Sequence, residues 1–193
     1  MLRVIWQVCL VVSLAVVANA ASVQWPVSEG GNGHYYEGVP SGSISWDSAS
    51  AQAQQMGGYL ATITSAEESA FVFANVASNP SLWVAGTFAV DGPWLGARQL
   101  PSMPPAEGWY WVTGEPWAYT NWALGQPDDY HGDAQDAVHL WGGYQPGGQP
   151  QPYWDDVGHS HLMPSFIVES VPEPATIAAI LCGTALGLRR RAA

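Results

Sequence analysis

The segment from Val90 to Tyr153 constrains the fold of this chain more than any other part of the sequence. It carries six of the eleven tryptophans of the chain among many prolines and glycines. A segment with so many large apolar rings has to pack against a core rather than remain disordered. The composition agrees, because 48% of the residues are hydrophobic and only 11% are charged. The prolines and glycines predict short regular elements here. A long irregular run inside a compact domain indicates either a functional loop or an error in the assignment of elements.

Two helices are predicted ahead of that segment. Apolar residues recur at helical spacing over Trp46–Met56, and Gly57-Gly58 follows as a stop signal. A capping box at Ser65–Glu68 begins a second helix, which we expect to extend to about Ala77. The apolar run Tyr59–Ile63, between the two helices, predicts a short strand.

Strands dominate the second half of the chain. Tyr35-Tyr36 marks the start of a first strand. Helices followed by short antiparallel strands predict an α+β domain with a long irregular loop. The two ends described next leave about 150 residues, 21–170, for a single domain with one core. The later strands are predicted at Leu82–Thr87, Trp109–Val112, Ala137–Trp141, Tyr153–Val157 and Ser165–Glu169.

The two ends of the chain have the patterns of targeting segments. Residues 1–20 combine Arg3, an apolar run and the triplet Ala18-Asn19-Ala20, which predicts a signal peptide. Residues 171–193 carry Pro172-Glu173-Pro174, a short apolar stretch and three arginines. That order resembles a PEP-CTERM sorting signal. The resemblance implies export to the cell envelope or beyond it, transient membrane insertion of the C-terminal helix, and processing by an exosortase-type protease. The alternative is that residues 171–193 are a weak membrane anchor.

Both cysteines of the chain, Cys9 and Cys182, lie in those ends. The domain 21–170 therefore has no disulfide, although export would bring it into an oxidising compartment. The same domain has fifteen acidic residues and one base, Arg98. A surface with that balance repels phosphate and attracts cations, so we expect no nucleic acid partner.

Six aspartates lie within 29 positions, and no lysine or arginine is near them in the sequence. Carboxylates that come together in a packed loop need a compensating cation. Calcium accepts about six to eight oxygen ligands in irregular geometry, whereas magnesium prefers tight octahedra with water and zinc prefers histidine or cysteine. The pattern therefore favours calcium, and a solvated acidic loop is the alternative. The six are Asp128, Asp129, Asp133, Asp136, Asp155 and Asp156.

Several blocks of the domain match one family in order. They are Trp46–Ile63, Trp94-Leu95-Gly96-Ala97, Gly108–Trp111, Tyr119–Trp122, Gln126-Pro127-Asp128 and Trp154-Asp155-Asp156. On these blocks the chain resembles the C-type lectin-like domain over nearly all of residues 36–169. The resemblance implies two helices, short antiparallel strands and a long loop that carries a ligand site.

The resemblance also implies a calcium site. Gln126 and Asp128 would supply side-chain oxygens from the loop, and the peptide bond before Pro127 would be cis. Asp155 and Asp156 would supply oxygens from a strand, and Asp156 would add its backbone carbonyl. These residues are oxygen donors, which suits calcium.

The chain departs from the family pattern at two kinds of position. The family's remaining acidic ligand is replaced here by Gln135, and Asp133, two positions earlier, is an alternative ligand. The family's two disulfides are also missing, and each bridge would contribute roughly 2–4 kcal/mol. Their positions are occupied by Ala53 with Val168 and by Ala137 with His159.

The same resemblance implies a sugar as the ligand. Members with the tripeptide found at 126–128 favour galactose-type sugars, which also stack on an aromatic ring. The carbohydrate would contact Gln126, Asp128, Tyr130 and Asp155. We therefore predict calcium-dependent binding of a glycan or exopolysaccharide. For Tyr130 the alternative is an exposed loop tyrosine that contacts no ligand.

No enzyme is expected. The sequence has no Ser-His-Asp order, no H-E-x-x-H motif and no nucleophile elbow. A secreted glycosidase with paired carboxylates is a less favoured alternative, because the domain is small for such a cleft. A protein-binding or matrix module on the same fold, without a sugar site, is the other alternative.

Overall fold

The computed structural model describes residues 21–130 and 134–172. The predicted signal peptide, 1–20, and residues 173–193 of the predicted sorting segment lie outside the described residues, as does Asp133. Within the described ranges, no helix is long and apolar enough to cross a bilayer.

Both predicted helices are present. α1 spans Trp46–Gln55, is capped by the side chain of Ser45, and buries an apolar face that begins with Trp46. α2 spans Ala66–Val72, and a single π-helical segment continues it over Phe73–Ala77. The capping residue Ser65 accepts a hydrogen bond from the backbone N–H of Glu68, at 3.1 Å, as the capping box predicted.

The described strands form one mixed sheet that is almost entirely antiparallel. They are β1 Val23–Gln24, β2 Tyr35–Ile44, β3 Tyr59–Leu60, β4 Val84–Ala85, β5 Ala89–Gln99, β6 Trp109–Trp111, β7 Ala137–Tyr144, β8 Trp154–Val157 and β9 Met163–Ser170. Their order in the sheet is β1-β2-β9-β5-β7-β8, with β3 paired to β9 and with β4 and β6 paired to β5. β2 and β9 are antiparallel neighbours, whereas β5 meets β9 in parallel at a single residue pair.

The prediction of only short elements after Val90 was wrong. β5 has eleven residues and is the strand with most partners in the described sheet. Its glycines do not interrupt it, because a Cβ on Gly92 would meet the Trp83 ring and one on Gly96 would meet the carbonyl of Leu60. These glycines allow close approach of neighbouring segments instead of forming turns.

The predicted strand Leu82–Thr87 was also wrong in its bounds. Pro80–Leu82 forms a 3-10 helix, and only Val84–Ala85 pairs with β5. The chain then turns back, and the backbone N–H of Gly86 donates to the carbonyl of Ala89. This short hairpin leaves Phe88, the residue before β5, 79% exposed.

Two groups of buried apolar residues stabilise the sheet. One lies beneath α1 and includes Ala53 and Val168, the two positions at which the resemblance implied a cysteine pair in other members. The other is rich in tryptophan and includes Trp111 and Trp154, both at most 1% exposed. Apolar packing therefore joins α1 to β9 at this point without a disulfide.

The described residues between β6 and β7, 112–130 and 134–136, are irregular, as predicted for the long loop. Its middle is bound to β8, because the Trp154 backbone N–H donates to the Asn121 carbonyl and the Ala123 N–H donates to the Trp154 carbonyl, both at 2.9 Å. The buried Trp154 ring fixes the loop from the inside by contacts with four aromatic rings. Those rings belong to Trp111, Trp117, Tyr119 and Trp122.

Candidate functional site

One cavity, of about 680 Å³, is lined by six of the residues that the family resemblance implied as calcium or sugar ligands, whereas Asp129 and Asp136 do not line it and the alternative ligand Asp133 lies outside the described residues. The loop contributes from one side and β8 contributes from the other. We call this space the carboxylate cavity. The predicted residues that line it are Gln126, Asp128, Tyr130, Gln135, Asp155 and Asp156.

Gln126 enters the cavity from a turn that the following proline shapes. The Gln126-Pro127 peptide bond is cis, as predicted. The backbone N–H of Gln126 donates to the Ala123 carbonyl at 3.0 Å. Within the described part of the chain, the side-chain oxygen Oε1 of Gln126 is buried and has no hydrogen-bond partner. A buried amide oxygen without a donor is costly, so this atom is suited to accept a ligand.

Asp156 connects the loop to β8. Its carboxylate accepts hydrogen bonds from the backbone N–H groups of Asp128, at 3.0 Å, and Asp129, at 3.1 Å. Only 1% of Asp156 is exposed, and burial raises its pKa to about 6, although the two amide donors act in the opposite direction. The side chain predicted as a ligand therefore also fixes the backbone of the loop.

Asp155 lies next to Asp156 on β8 and faces a histidine that the sequence interpretation missed. His139 is the cross-strand partner of Asp155 on β7, and its Nε2 lies 3.5 Å from Asp155 Oδ2. His139 is 1% exposed and lines the same cavity, as does Trp141 two residues later. The period-2 alternation of a strand was the available signal, because it puts His139 and Trp141 on one face.

Gln135 and Tyr130 lie next to each other in the lining of the cavity. The backbone N–H of Tyr130 lies within hydrogen-bond distance of Gln135 Oε1, at 2.5 Å, and of Asp128 Oδ1, at 3.0 Å. The backbone N–H of Gln135 donates to Asp129 Oδ1 at 3.1 Å. The Tyr130 side chain is 61% exposed at the rim of the cavity.

Asp136, the neighbour of Gln135, points away from the cavity. Its carboxylate accepts from Arg98 at 2.6 Å and lies 2.8 Å from the Nδ1 atom of His159. The Arg98 guanidinium also stacks over the Trp46 ring. The single base of the domain therefore neutralises Asp136, and it does not compensate the carboxylates of the cavity.

The donors that line the cavity fit a hard cation. Gln126 offers an unpartnered amide oxygen, and Asp128 and Asp155 offer carboxylates, all of which are oxygen ligands of the kind that calcium binds. No lysine or arginine is among the described lining residues. Over the described ranges, no group of three or more His, Cys, Asp or Glu residues is arranged to hold a metal.

A second acidic group lies where α2 meets β2 and β9. Glu68 and Glu169 are each 1% exposed, and the phenol O–H of Tyr36 contacts both carboxylates. Thr64 donates to Glu68 through its backbone N–H, and Thr62 does the same to Glu169 at 2.9 Å. We call these two glutamates and their donors the glutamate cluster. Glu68 is thus a buried hydrogen-bond acceptor, in addition to its predicted role in the helix cap.

The chain is similar to known proteins over most of the described domain. A family model described as Lectin C-type domain matches residues 42–158. A perlucin-like protein from Mytilus galloprovincialis is 34% identical over 98 residues, which are 50% of this chain and 54% of that protein. The chain thus spans about half the length of this relative.

Solved structures share the fold. The C-type carbohydrate-recognition domain of cow CD23, crystallised in the presence of a GlcNAc2Man3 oligosaccharide, has a TM-score of 0.56 and 20% identity, covering 73% of this chain and 90% of that one. A calcium-independent type II antifreeze protein has a TM-score of 0.52 and 21% identity, covering 72% and 86%. These similarities confirm the predicted C-type lectin-like fold, and at such identities they establish the fold alone.

Proposed function

Because the chain belongs to the C-type lectin domain family, we propose that it is an exported, calcium-dependent carbohydrate-binding protein of the galactose type. One observation carries the proposal: oxygen donors from the loop and from β8 line the same cavity, and Gln126 Oε1 is buried there without a partner. Membership of a family of binding domains agrees with the expectation that the chain is not an enzyme.

In this proposal, Gln126, Asp128 and Asp155 hold the ion directly. Asp156 contributes mainly by fixing the loop, since its carboxylate already accepts two backbone N–H groups there. Gln135 takes the position of the family's acidic ligand, and its amide oxygen faces the Tyr130 N–H. When bound, calcium supplies a positive centre that accepts the hydroxyl oxygens of a sugar.

The galactose preference follows from the order of the side chains in the loop. The Gln126 amide and the Asp128 carboxylate determine which sugar hydroxyl meets a hydrogen-bond donor and which meets an acceptor. The family resemblance associates an amide followed by a carboxylate at these two positions with galactose. Tyr130, which is exposed at the rim, offers an aromatic surface for the apolar face of that sugar.

Calorimetric titration with methyl galactoside, in calcium and in EGTA, tests the proposal. We expect binding in calcium only, and we expect Asp128→Ala to abolish it. Glu107→Ala is the matched control, because Glu107 is an exposed acid outside the cavity. Equal binding in calcium and EGTA would disprove the proposal, whereas binding of methyl mannoside instead would disprove the galactose assignment alone.

A second function on the same fold is an envelope or matrix interaction module without a sugar site. It is favoured by Gln135, which removes one charged ligand, and by the lack of any three-acid metal group over the described residues. A calcium-independent antifreeze protein shares the fold, so the fold does not require the ion. Thermal unfolding separates the two functions, because a module of this kind would melt at the same temperature in calcium and in EGTA.

We also propose that the two ends direct export. The support is the pattern of residues 1–20 and of residues 171–193, and the C-terminal segment would be a substrate of an exosortase-type protease after transient insertion in the membrane. Mass spectrometry of the protein recovered from its natural host would show cleavage near Ala20 and loss of the C-terminal arginines. A full-length mass in the envelope fraction would contradict this processing.

A further inference from the structure

The carboxylate cavity extends well beyond the predicted ligands. Its floor is one face of β5, β7 and β8, where Asp91 is the cross-strand partner of Trp141 and His139 is the partner of Asp155. All four side chains line the cavity. The predicted ligands therefore occupy one end of a longer groove, and Trp141 and Asp91 lie towards the other end.

That other end is aromatic and open to solvent. Tyr144, the last residue of β7, is 66% exposed and meets the Trp141 ring edge-on, with centroids 4.8 Å apart. Phe88 is 79% exposed on the neighbouring hairpin, and its carbonyl accepts from the Gln145 N–H at 2.8 Å. Both exposed rings line the cavity. Backbone hydrogen bonds thus hold two aromatic rings at the mouth of the groove, where neither contributes to the core.

The electrostatics of the groove restrict its ligand. Four of the described lining residues are aspartates, including Asp91 at the aromatic end, and none is a lysine or arginine. The carboxylates of Asp155 and Asp128 lie near enough to the Tyr144 phenol to raise its pKa, after the larger effect of burial. An anionic ligand would be repelled at the aromatic end, where no positive side chain compensates Asp91.

We propose that Tyr144, Phe88 and Trp141 form a second sugar subsite, so that the ligand is a neutral oligosaccharide of two or more units rather than one terminal sugar. The first unit lies at Asp128 and Asp155, and the next stacks on Tyr144 and Phe88. Asp91 accepts hydrogen bonds from hydroxyls of the second unit. This inference rests on the proposed function, because it needs a first unit bound at the predicted ligands.

Calorimetry of the full domain in calcium, with three probes, tests the subsite. The probes are methyl galactoside, α-1,4-galactobiose and its charged counterpart α-1,4-digalacturonate. We expect galactobiose to bind about tenfold more tightly than methyl galactoside, as one added aromatic–sugar contact allows. Digalacturonate should bind more weakly than galactobiose. In Tyr144→Ala and in Phe88→Ala, the affinity ratio of the disaccharide to the monosaccharide should fall towards one.

The control is Tyr110→Ala, because Tyr110 is an exposed tyrosine on β6 outside the cavity and its loss should leave the ratio unchanged. Equal affinities of the wild type for the two neutral probes would overturn the subsite and leave the proposed function intact. An unchanged ratio of disaccharide to monosaccharide affinity in both Tyr144→Ala and Phe88→Ala would also overturn the subsite. Tighter binding of digalacturonate than of galactobiose would do the same. Failure of both neutral probes to bind would overturn the proposed function, and with it this inference.

Discussion

Two groups of acidic side chains in this protein are compensated in different ways. In the glutamate cluster the protein itself supplies the donors, since Tyr36, Thr62 and Thr64 hydrogen-bond to Glu68 or Glu169. In the carboxylate cavity, two backbone amides satisfy Asp156, but Gln126 Oε1 has no partner among the described residues and no lysine or arginine lines the space.

This difference in hydrogen-bond donors indicates a structural role for the glutamate cluster and a binding role for the carboxylate cavity. Buried acids that receive enough hydrogen bonds stabilise a fold without an ion, whereas acids and amide oxygens that lack donors are suited to a cation. The number of acidic residues alone does not distinguish the two cases. The comparison therefore predicts that calcium acts on one group and leaves the other unchanged.

The largest effect is expected from Glu68→Ala. It removes the acceptor of the Tyr36 O–H and of the Thr64 N–H, and it should lower the free energy of unfolding by about 3 kcal/mol. Urea denaturation measures this loss, and calcium should not restore it. The control is Glu67→Ala on the exposed face of the same helix, with a change of about 0.5 kcal/mol or less. Recovery of stability in calcium would show that the two groups do not differ in the proposed way.

Calcium should stabilise the wild type through the carboxylate cavity. At a free calcium concentration about 100 times the Kd, the linkage contributes about 2.7 kcal/mol, which corresponds to about 5–10 °C in Tm for a domain of this size. Differential scanning calorimetry in calcium and EGTA measures the shift. Asp128→Ala should remove it, and Glu107→Ala, on the exposed surface, should not. A shift that survives Asp128→Ala would place the ion elsewhere.

A smaller effect is expected from Gln135→Glu, which restores an acidic side chain at the edge of the cavity. The carboxylate keeps an oxygen for the Tyr130 N–H and adds a charged ligand, so calcium should bind about fivefold more tightly. Titration with a competing chelator measures the Kd. Gln149→Glu adds the same charge at an exposed position outside the cavity and should change the Kd less. Equal changes in both variants would indicate a general charge effect.

The smallest effect concerns pH and the glutamate cluster. Burial raises the pKa of Glu169 above its ordinary value of 4.5. The folded state therefore favours the protonated acid, so the contribution of Glu169 to stability is complete below pH 4.5 and is lost as the pH rises through the folded pKa. Urea denaturation between pH 4.5 and 8 should show that wild type loses stability relative to Glu169→Gln over this window. A difference that stays constant with pH would contradict this direction.

The local signals of the sequence were sufficient for the helices and for most strands. Ser65 and Gly57 mark helix ends through short-range chemistry, which needs no knowledge of the tertiary structure. β5 was missed because Gly92 and Gly96 look like turn residues. Only the packing of Trp83 and Leu60 against them explains why glycine stands there.

The candidate site was predicted in part. Gln126, Asp128, Asp155 and Asp156 follow from the family resemblance, and the structure brings them together in one cavity. The aromatic end was missed, because Phe88, in the hairpin before β5, and Tyr144, at the end of β7, are far apart in the sequence and are brought together by the pairing of Ala89 with Tyr144. The glutamate cluster was missed for the same reason, since Glu68 and Glu169 are far apart in the sequence.

The two backbone amides that Asp156 holds have a kinetic consequence. Hydrogen bonds within the protein hold the turn at 128–129 to β8, so on the proposed function the exchange of calcium would need no refolding of that turn. The exchange rate would then be set by diffusion and by the release of water from the ion. If the proposed function holds, the protein would respond quickly to changes in calcium concentration, and release of the ion would leave the turn at 128–129 in place.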